Sequence, residues 1–284
     1  MSTGRLPTIF IPHGGGPCFF MDWTMGPADT WDALAAHLRQ LPSMLATRPL
    51  SIVVVSGHHE GRIVEITSGA NPAMLFDYYG FPEHTYRLNY PAPGSPDLAD
   101  QIGTLLAEGG VDHRFDPTRG FDHGVFVPLL LMFPEADIPV VQVSLRSDLD
   151  ADFHLRLGEQ LAPLRDQGVL IIGSGMSYHN MHAFTSQIAG PDSRTFDDWL
   201  TATCTAEPAQ RRRALALWED APAARRAHPR EEHLLPLMVV AGAGGVDIGI
   251  KTFAGDAMGA KLSAYAFGAL RPAASPNPIT ASRP

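Results

Sequence analysis

Twelve of the 284 residues are histidine, and their setting is more telling than their number. Three follow apolar, β-branched runs and sit among glycine and serine. Ile9–Pro12 leads into His13-Gly-Gly-Gly, Val53–Ser56 into Gly57-His58, and Leu170–Gly175 through Met176, Ser177 and Tyr178 into His179. A fourth, His233, opens the apolar segment His-Leu-Leu-Pro-Leu. Imidazole is a common ligand for iron and zinc and titrates near neutrality, so these residues point to a metal site or to proton transfer. A single histidine after a strand is more often a loop residue bonded to backbone than a ligand. The context shared by His13, His58 and His179 argues for a joint role. Glycine beside a ligand lets backbone approach closely and leaves one side of an ion open.

A fifth candidate lies in Arg119-Gly-Phe-Asp-His-Gly-Val-Phe, where Gly120 and Gly124 bracket Asp122 and His123 ahead of a strongly apolar helix. The Asp–His pair could tune a proton donor, or Asp122 could cap the helix. Phe121, Asp122 and Tyr178 are the residues expected to contact a substrate, with Tyr79 and Phe126 as further aromatics and Arg119 as the nearest partner for a carboxylate. His37 and His154 fall inside predicted helices and are expected to be solvated. His84, His113 and His228 fall in loops and receive no role. His59 should point away from His58 if its strand continues, and His182 either supports the site or lies on the surface.

These side chains need a scaffold. Continuous apolar runs at Thr8–Ile11, Ser51–Ser56, Ile63–Thr67, Pro139–Ser144, Val169–Gly173 and Lys261–Phe267 suit strands buried on both faces. Helical patterns lie between them. Thr30–Gln40 is one, Pro96–Glu108 follows Ser95 as its cap, and Asp150–Gln167 ends at Gly168. Thr195–Asp220 is interrupted near Pro208, and His233–Ala241 reads as a buried helix. The alternation predicts an α/β fold: a single domain with a central mixed or parallel sheet flanked by helices. In such sheets ligands collect beyond the carboxyl ends of the strands. Residues 1–270 are expected to form one catalytic unit and 271–284 a mobile tail. The Tyr-, Pro- and Gly-rich segment Tyr78–Pro96 reads as a long ordered binding loop.

Composition narrows the function further. A net charge of −9 with no basic run argues against nucleic acid and anionic membranes. The two cysteines, Cys18 and Cys204, form no CxxC pair, and no apolar stretch reaches membrane-spanning length. The expectation is a cytoplasmic protein, monomeric or a small homo-oligomer. No phosphate-binding loop, dinucleotide fingerprint or H-E-x-x-H is present, and Gly175-Met-Ser-Tyr-His lacks the second glycine of a hydrolase elbow.

Five motifs in order carry a resemblance: His13-Gly-Gly-Gly-Pro, Ser56-Gly-His-His, Gly120-Phe-Asp-His-Gly, Gly173-Ser-Gly-Met-Ser-Tyr-His-Asn and Glu232-His-Leu-Leu-Pro-Leu. Together they resemble the class III extradiol ring-cleavage dioxygenases, in the branch that contains DOPA dioxygenases, from about Pro7 to Gly268. The resemblance implies a metal site at one edge of the sheet. His13, His58 and His233 match its ligands, and His179 matches an active-site histidine that can be grouped with them. His123 matches a histidine near substrate or oxygen. Glu231 and Glu232 leave a carboxylate ligand open, since a related branch uses Glu. The cofactor implied is Fe(II), with Zn(II) in some isolated copies. The partners implied are a catechol, DOPA-like or related, and O2, giving a muconic semialdehyde-type product. The acid/base role falls to His179 and a hydrogen bond to substrate or oxygen to His123. Gly15-Gly16-Pro, Gly57 and His59 depart from the family pattern and alter the pocket wall. A zinc hydrolase using the same histidines is the alternative, followed by a non-catalytic interaction protein; the latter would be expected to lose part of the histidine set.

Overall fold

A computed structural model describes residues 4–272, and the expected tail lies outside the described residues from 273 onward. Among the described residues one eight-stranded sheet runs through the molecule. Its strands are β1 (Thr8–Pro12), β2 (Ser51–Gly61), β3 (Val64–Thr67), β4 (His113–Asp116), β5 (Val140–Arg146), β6 (Val169–Gly175), β7 (Gly249–Ala257) and β8 (Ala260–Phe267). The order is β4-β3-β5-β2-β6-β1-β8-β7. The four central strands β5, β2, β6 and β1 are parallel. β8 joins β1 antiparallel and β7 closes that side as a hairpin partner, while β3 meets β5 antiparallel and carries β4. The single-domain mixed α/β sheet is the fold expected.

The central strands are continuous apolar runs because both faces are covered. β6 shows this residue by residue. Gly173 and Gly175 face the helix α8 (Leu235–Gly244) and the residues leading into it: a Cβ on Gly173 would collide with the carbonyl oxygen of Pro236, and one on Gly175 with that of His233. Ser174 points the other way and donates to the carbonyl of Gly124 in α3 (His123–Met132). Alternate residues of one strand therefore touch opposite helix layers. Both α3 and α8 are apolar all round and buried, which is what a helix inside a three-layer sandwich requires.

The other helices are α1 (Asp32–Met44), α2 (Pro96–Glu108), α4 (Ala151–Leu161), α5 (Ala189–Cys204), α6 (Pro208–Ala216) and α7 (Ala224–Ala227). Ser95 caps α2 by accepting from the Leu98 amide, a bond worth about 1 kcal/mol. Helix α4 gives way to a 3-10 segment, Ala162–Gln167, which Gly168 ends in the left-handed region.

Several expectations need correction. His37 and His154 are buried, not solvated. His37 stacks on Phe253, and His154 bonds to the Asp150 carbonyl while accepting from the Arg146 amide. Each lies on the inward face of its helix, three residues after an apolar or small residue of that face. His113 belongs to β4 rather than a loop, and His228 is buried against Phe196 and Trp218. The pattern assigned to Thr195–Asp220 begins earlier, at Ala189, and splits at Pro208. Arg271, expected in the tail, donates its backbone amide to the Met44 carbonyl. No helix of the described residues is long and apolar enough to cross a membrane.

Candidate metal centre

Three adjacent central strands, β2, β6 and β1, deliver the histidines. His13 follows β1 and extends its ladder by one bond, its amide donating to Gly175 O at 3.0 Å. His58 lies within β2, which continues past the predicted end to Gly61. His59 does point away from it and pairs with Glu65 at 3.1 Å. His233 precedes α8, and its carbonyl takes the Met176 amide at the end of β6. The absence of a side chain on Gly175 allows that approach.

The rings converge. The His13 ring lies 4.9 Å from His58, 5.1 Å from His123 and 5.2 Å from His233, centroid to centroid. His58 is 4.0 Å from His123 and 4.6 Å from His233. His179 stacks on His233 at 3.5 Å. The five histidines thus form one cluster, with His13, His58 and His123 grouped on one flank and His179, Glu232 and His233 on the other.

Two carboxylates fix the ring nitrogens. Asp77 accepts from His123 Nδ1 at 2.8 Å and from its amide at 3.0 Å, and lies 3.5 Å from His58 Nδ1. Burial raises the Asp77 carboxyl, but the bonds from His123 and the nearby His58 outweigh it and hold it at about 2. Glu232 accepts from His233 Nδ1 at 2.9 Å and lies 3.1 Å from His179 Nδ1. Burial likewise raises Glu232, and the His179 bond, the local backbone and Arg230 bring it below its usual range. A carboxylate on Nδ1 keeps the proton there and leaves Nε2 as a lone pair.

The donor set suits a divalent metal. His58 Nε2 and His233 Nε2 face each other at 3.1 Å, and both nitrogens of buried His13 lack any partner. Burial, reinforced by His123, pushes His58 down to about 4. Burial and the neighbouring imidazoles push His13 and His233 well below the usual histidine range. The imidazoles are therefore neutral near pH 7, as ligands must be. Two lone pairs facing each other repel unless a cation lies beside both. Two nitrogens bound at right angles to one ion at about 2.1 Å would sit about 3 Å apart, close to the spacing found.

A cavity of about 400 Å³ opens above the histidines, walled by Trp31, Phe81, Phe184 and several methionines. The expected substrate contacts are placed elsewhere. Phe121 and Tyr178 are fully buried outside the cavity wall. Asp122 is also buried and outside the wall, and its side chain does not cap α3. It instead takes hydrogen bonds from Ser56 at 2.8 Å, from Gln142, and from Arg119 at 3.3 Å. Arg119 turns inward to Asp122 and the His58 carbonyl and does not line the cavity. Phe126 packs in the core against Phe76 and Tyr78, and His182 is exposed. Tyr79 does line the cavity.

Asp77, Trp23, Trp31 and the methionines were missed from sequence. Asp77 comes one residue before the predicted binding loop, and only its distance to His123 in space reveals its task. Glu232, a ligand candidate from sequence, stays within ligand reach of His179 and His233 and also bonds the Nδ1 atom of His233.

Comparison with known proteins settles the family. The profile described as "Catalytic LigB subunit of aromatic ring-opening dioxygenase" matches residues 7–268. The chain belongs to the LigB dioxygenase family. LigB relatives include a 4,5-DOPA dioxygenase extradiol of Beta vulgaris, 41% identical over 71% of this chain and 76% of that protein. The 4,5-DOPA dioxygenase extradiol of Escherichia coli K12 is 35% identical over 86% of this chain and 87% of its own length. The dioxygenase tasH of Hapsidospora irregularis is 34% identical over 93% of this chain and 86% of its own. A crystal structure of an uncharacterized Escherichia coli K12 protein superposes with a TM-score of 0.76 at 30% identity, covering 93% of this chain and all of that one. At family level the chain is a LigB-type oxidative ring-opening dioxygenase, which acts on a small molecule with O2.

Proposed function

We propose that this chain is a non-haem Fe(II)-dependent extradiol dioxygenase that opens the ring of a catechol to a muconic semialdehyde-type product. The facing Nε2 atoms of His58 and His233, beside the unpartnered nitrogens of His13, carry the reading. These three residues would hold the metal. An iron ion held there would bring a diol and O2 together and make the diol more acidic.

The remaining steps belong to the protein. His179, with Nδ1 on Glu232, keeps Nε2 as a base for the catechol hydroxyl proton and returns a proton when the O–O bond breaks. Its stacking on His233 fixes the ring beside the ligand set. His123, held at Nδ1 by Asp77, offers a hydrogen bond to substrate or oxygen from the His58 flank. The apolar wall excludes water while the ring is open to attack.

The test is anaerobic reconstitution with Fe(II), followed by oxygen uptake and product absorbance with a catechol panel. His179→Ala should retain its metal and lose turnover by roughly 10²–10⁴-fold. If His179→Ala loses the metal while His233→Ala keeps it, the two roles are exchanged. Ester hydrolysis by the Zn(II)-loaded protein, with no oxygen uptake by the Fe(II) form, overturns the proposal.

A further inference from the structure

The cavity wall is unusually poor in charge. Among the described residues that line it, none is Lys, Arg, Asp or Glu. Tyr78 lines it too, but its hydroxyl is committed to the Thr85 carbonyl at 2.6 Å. Arg230, three residues before His233, is paired with Glu60 and lies 3.4 Å from Glu232, and Arg119, four before His123, is turned away to Asp122 and the His58 carbonyl; neither lines the cavity. Beyond the histidines and Tyr79, the wall is made by Met25, Met181 and Met258 with Phe81, Phe184, Trp23 and Trp31, and the two indoles add uncharged N–H groups but no cation.

Two features sharpen that chemistry. Methionine is unbranched and polarizable, so a wall containing several adapts to irregular apolar shapes and aromatic edges. Gly16 adopts φ +57°, and a Cβ there would lie 2.9 Å from the Phe81 ring, so bare backbone lets Phe81 close down on the cavity. The volume of about 400 Å³ lies in the range of small-ligand sites and leaves space beyond a single catechol ring.

A carboxylate taken into this space would lose its hydration and find no cation to replace it, which is costly. Enzymes that select such substrates commonly use an arginine fork or a lysine. We propose that the natural substrate is a catechol whose ring substituent is apolar and uncharged, such as an alkyl, alkenyl or aryl group, and is neither an amino acid nor a carboxylic acid. The proposal rests on the catechol reading of the site given above. Met25, Met181, Met258, Phe81 and Phe184 are assigned as the residues that select the substituent.

The experiment uses the full chain loaded with Zn(II), titrated anaerobically by tryptophan fluorescence, since Trp31 forms part of the wall. The probes are 4-methyl-, 4-ethyl- and 4-propylcatechol, 3-(3,4-dihydroxyphenyl)propanoate and L-DOPA. Affinity should rise about fourfold for each added methylene. The propanoate and L-DOPA should bind at least about tenfold more weakly than 4-propylcatechol. Met181 is exposed at the rim, so Met181→Arg places a cation beside the cavity without disturbing the core. That variant should narrow the gap between the propanoate and 4-propylcatechol by about tenfold. Equal or tighter binding of the carboxylated probes to the parent protein overturns the proposal, as does an unchanged gap in Met181→Arg. If no catechol of either kind binds or consumes oxygen with Fe(II), the catechol reading itself fails.

Discussion

The two flanks of the histidine cluster use the same local chemistry in different mechanical settings. On one, Asp77 grips His123 by ring and amide and thereby also closes the N-terminus of α3. On the other, Glu232 holds the Nδ1 atoms of His233 and His179, whose rings stack. The first carboxylate ties the site to a buried helix, and the second ties two imidazoles to each other. Between them His13 has no brace at either nitrogen. The lesson is that an outer carboxylate can serve stability on one side and ligand orientation on the other.

The largest effect should come from the unbraced member. His13→Ala should abolish tight metal binding, as should His58→Ala. Metal analysis after anaerobic loading and dialysis reads this directly, and full occupancy in His13→Ala removes it from the ligand set. Next comes Glu232→Gln, which weakens the hold on both His233 and His179. Metal affinity should fall by about 10–100-fold in a competitive chelator titration. An affinity equal to that of the parent protein would make Glu232 a bystander.

Asp77→Asn should separate the flanks. Its loss in metal affinity should be smaller than that of Glu232→Gln, because Asp77 lies 3.5 Å from His58 and touches no other proposed ligand. It should instead cost about 1 kcal/mol of stability by weakening the cap on α3, measured by urea denaturation of the metal-free protein. If the two variants show the same pattern, the flanks do not differ in the way described.

A pH effect outside the site separates it from the surrounding core. Burial pushes His154 to about 4 and His228 to about 3. The unfolded chain takes up a proton near pH 6.5 that the folded chain refuses. Stability is therefore full above about pH 6.5 and falls as the pH drops toward 4, by about 1.4 kcal/mol per pH unit for each residue. Urea midpoints at pH 7, 6 and 5 measure the slope, and His154→Gln should flatten it by one residue's share. A slope unchanged in that variant excludes His154 as a source.

The parts visible in the sequence are those with local causes. His13 and His58 could be found because each follows a run buried on both faces and sits beside glycine. The cap at Ser95 and the stop at Gly168 follow from neighbouring residues alone. β4 and β7 were not foreseen, since His113–Asp116 is short and half-exposed and Gly249–Ala257 carries exposed polar residues at a sheet edge. His37 and His154 were misplaced because polarity was weighed above helical position. His37 shares a face with Leu34, Leu38 and Leu41, all buried. Asp77 and Glu232 depend on contacts across the fold or on side-chain direction, which spacing does not encode. Phe121, Asp122 and Tyr178 show the converse, since each lies within two residues of a site histidine in sequence yet outside the cavity wall.

The bare face of β6 limits how this scaffold can diversify. At position 175 the smallest side chain, a methyl group, already strikes the backbone that carries His233. Libraries that randomise that strand would spend most of their members on proteins with a displaced imidazole. The rim at Met25 and Met181 is free of such coupling, so new selectivity is most accessible there, with the histidine geometry left as inherited.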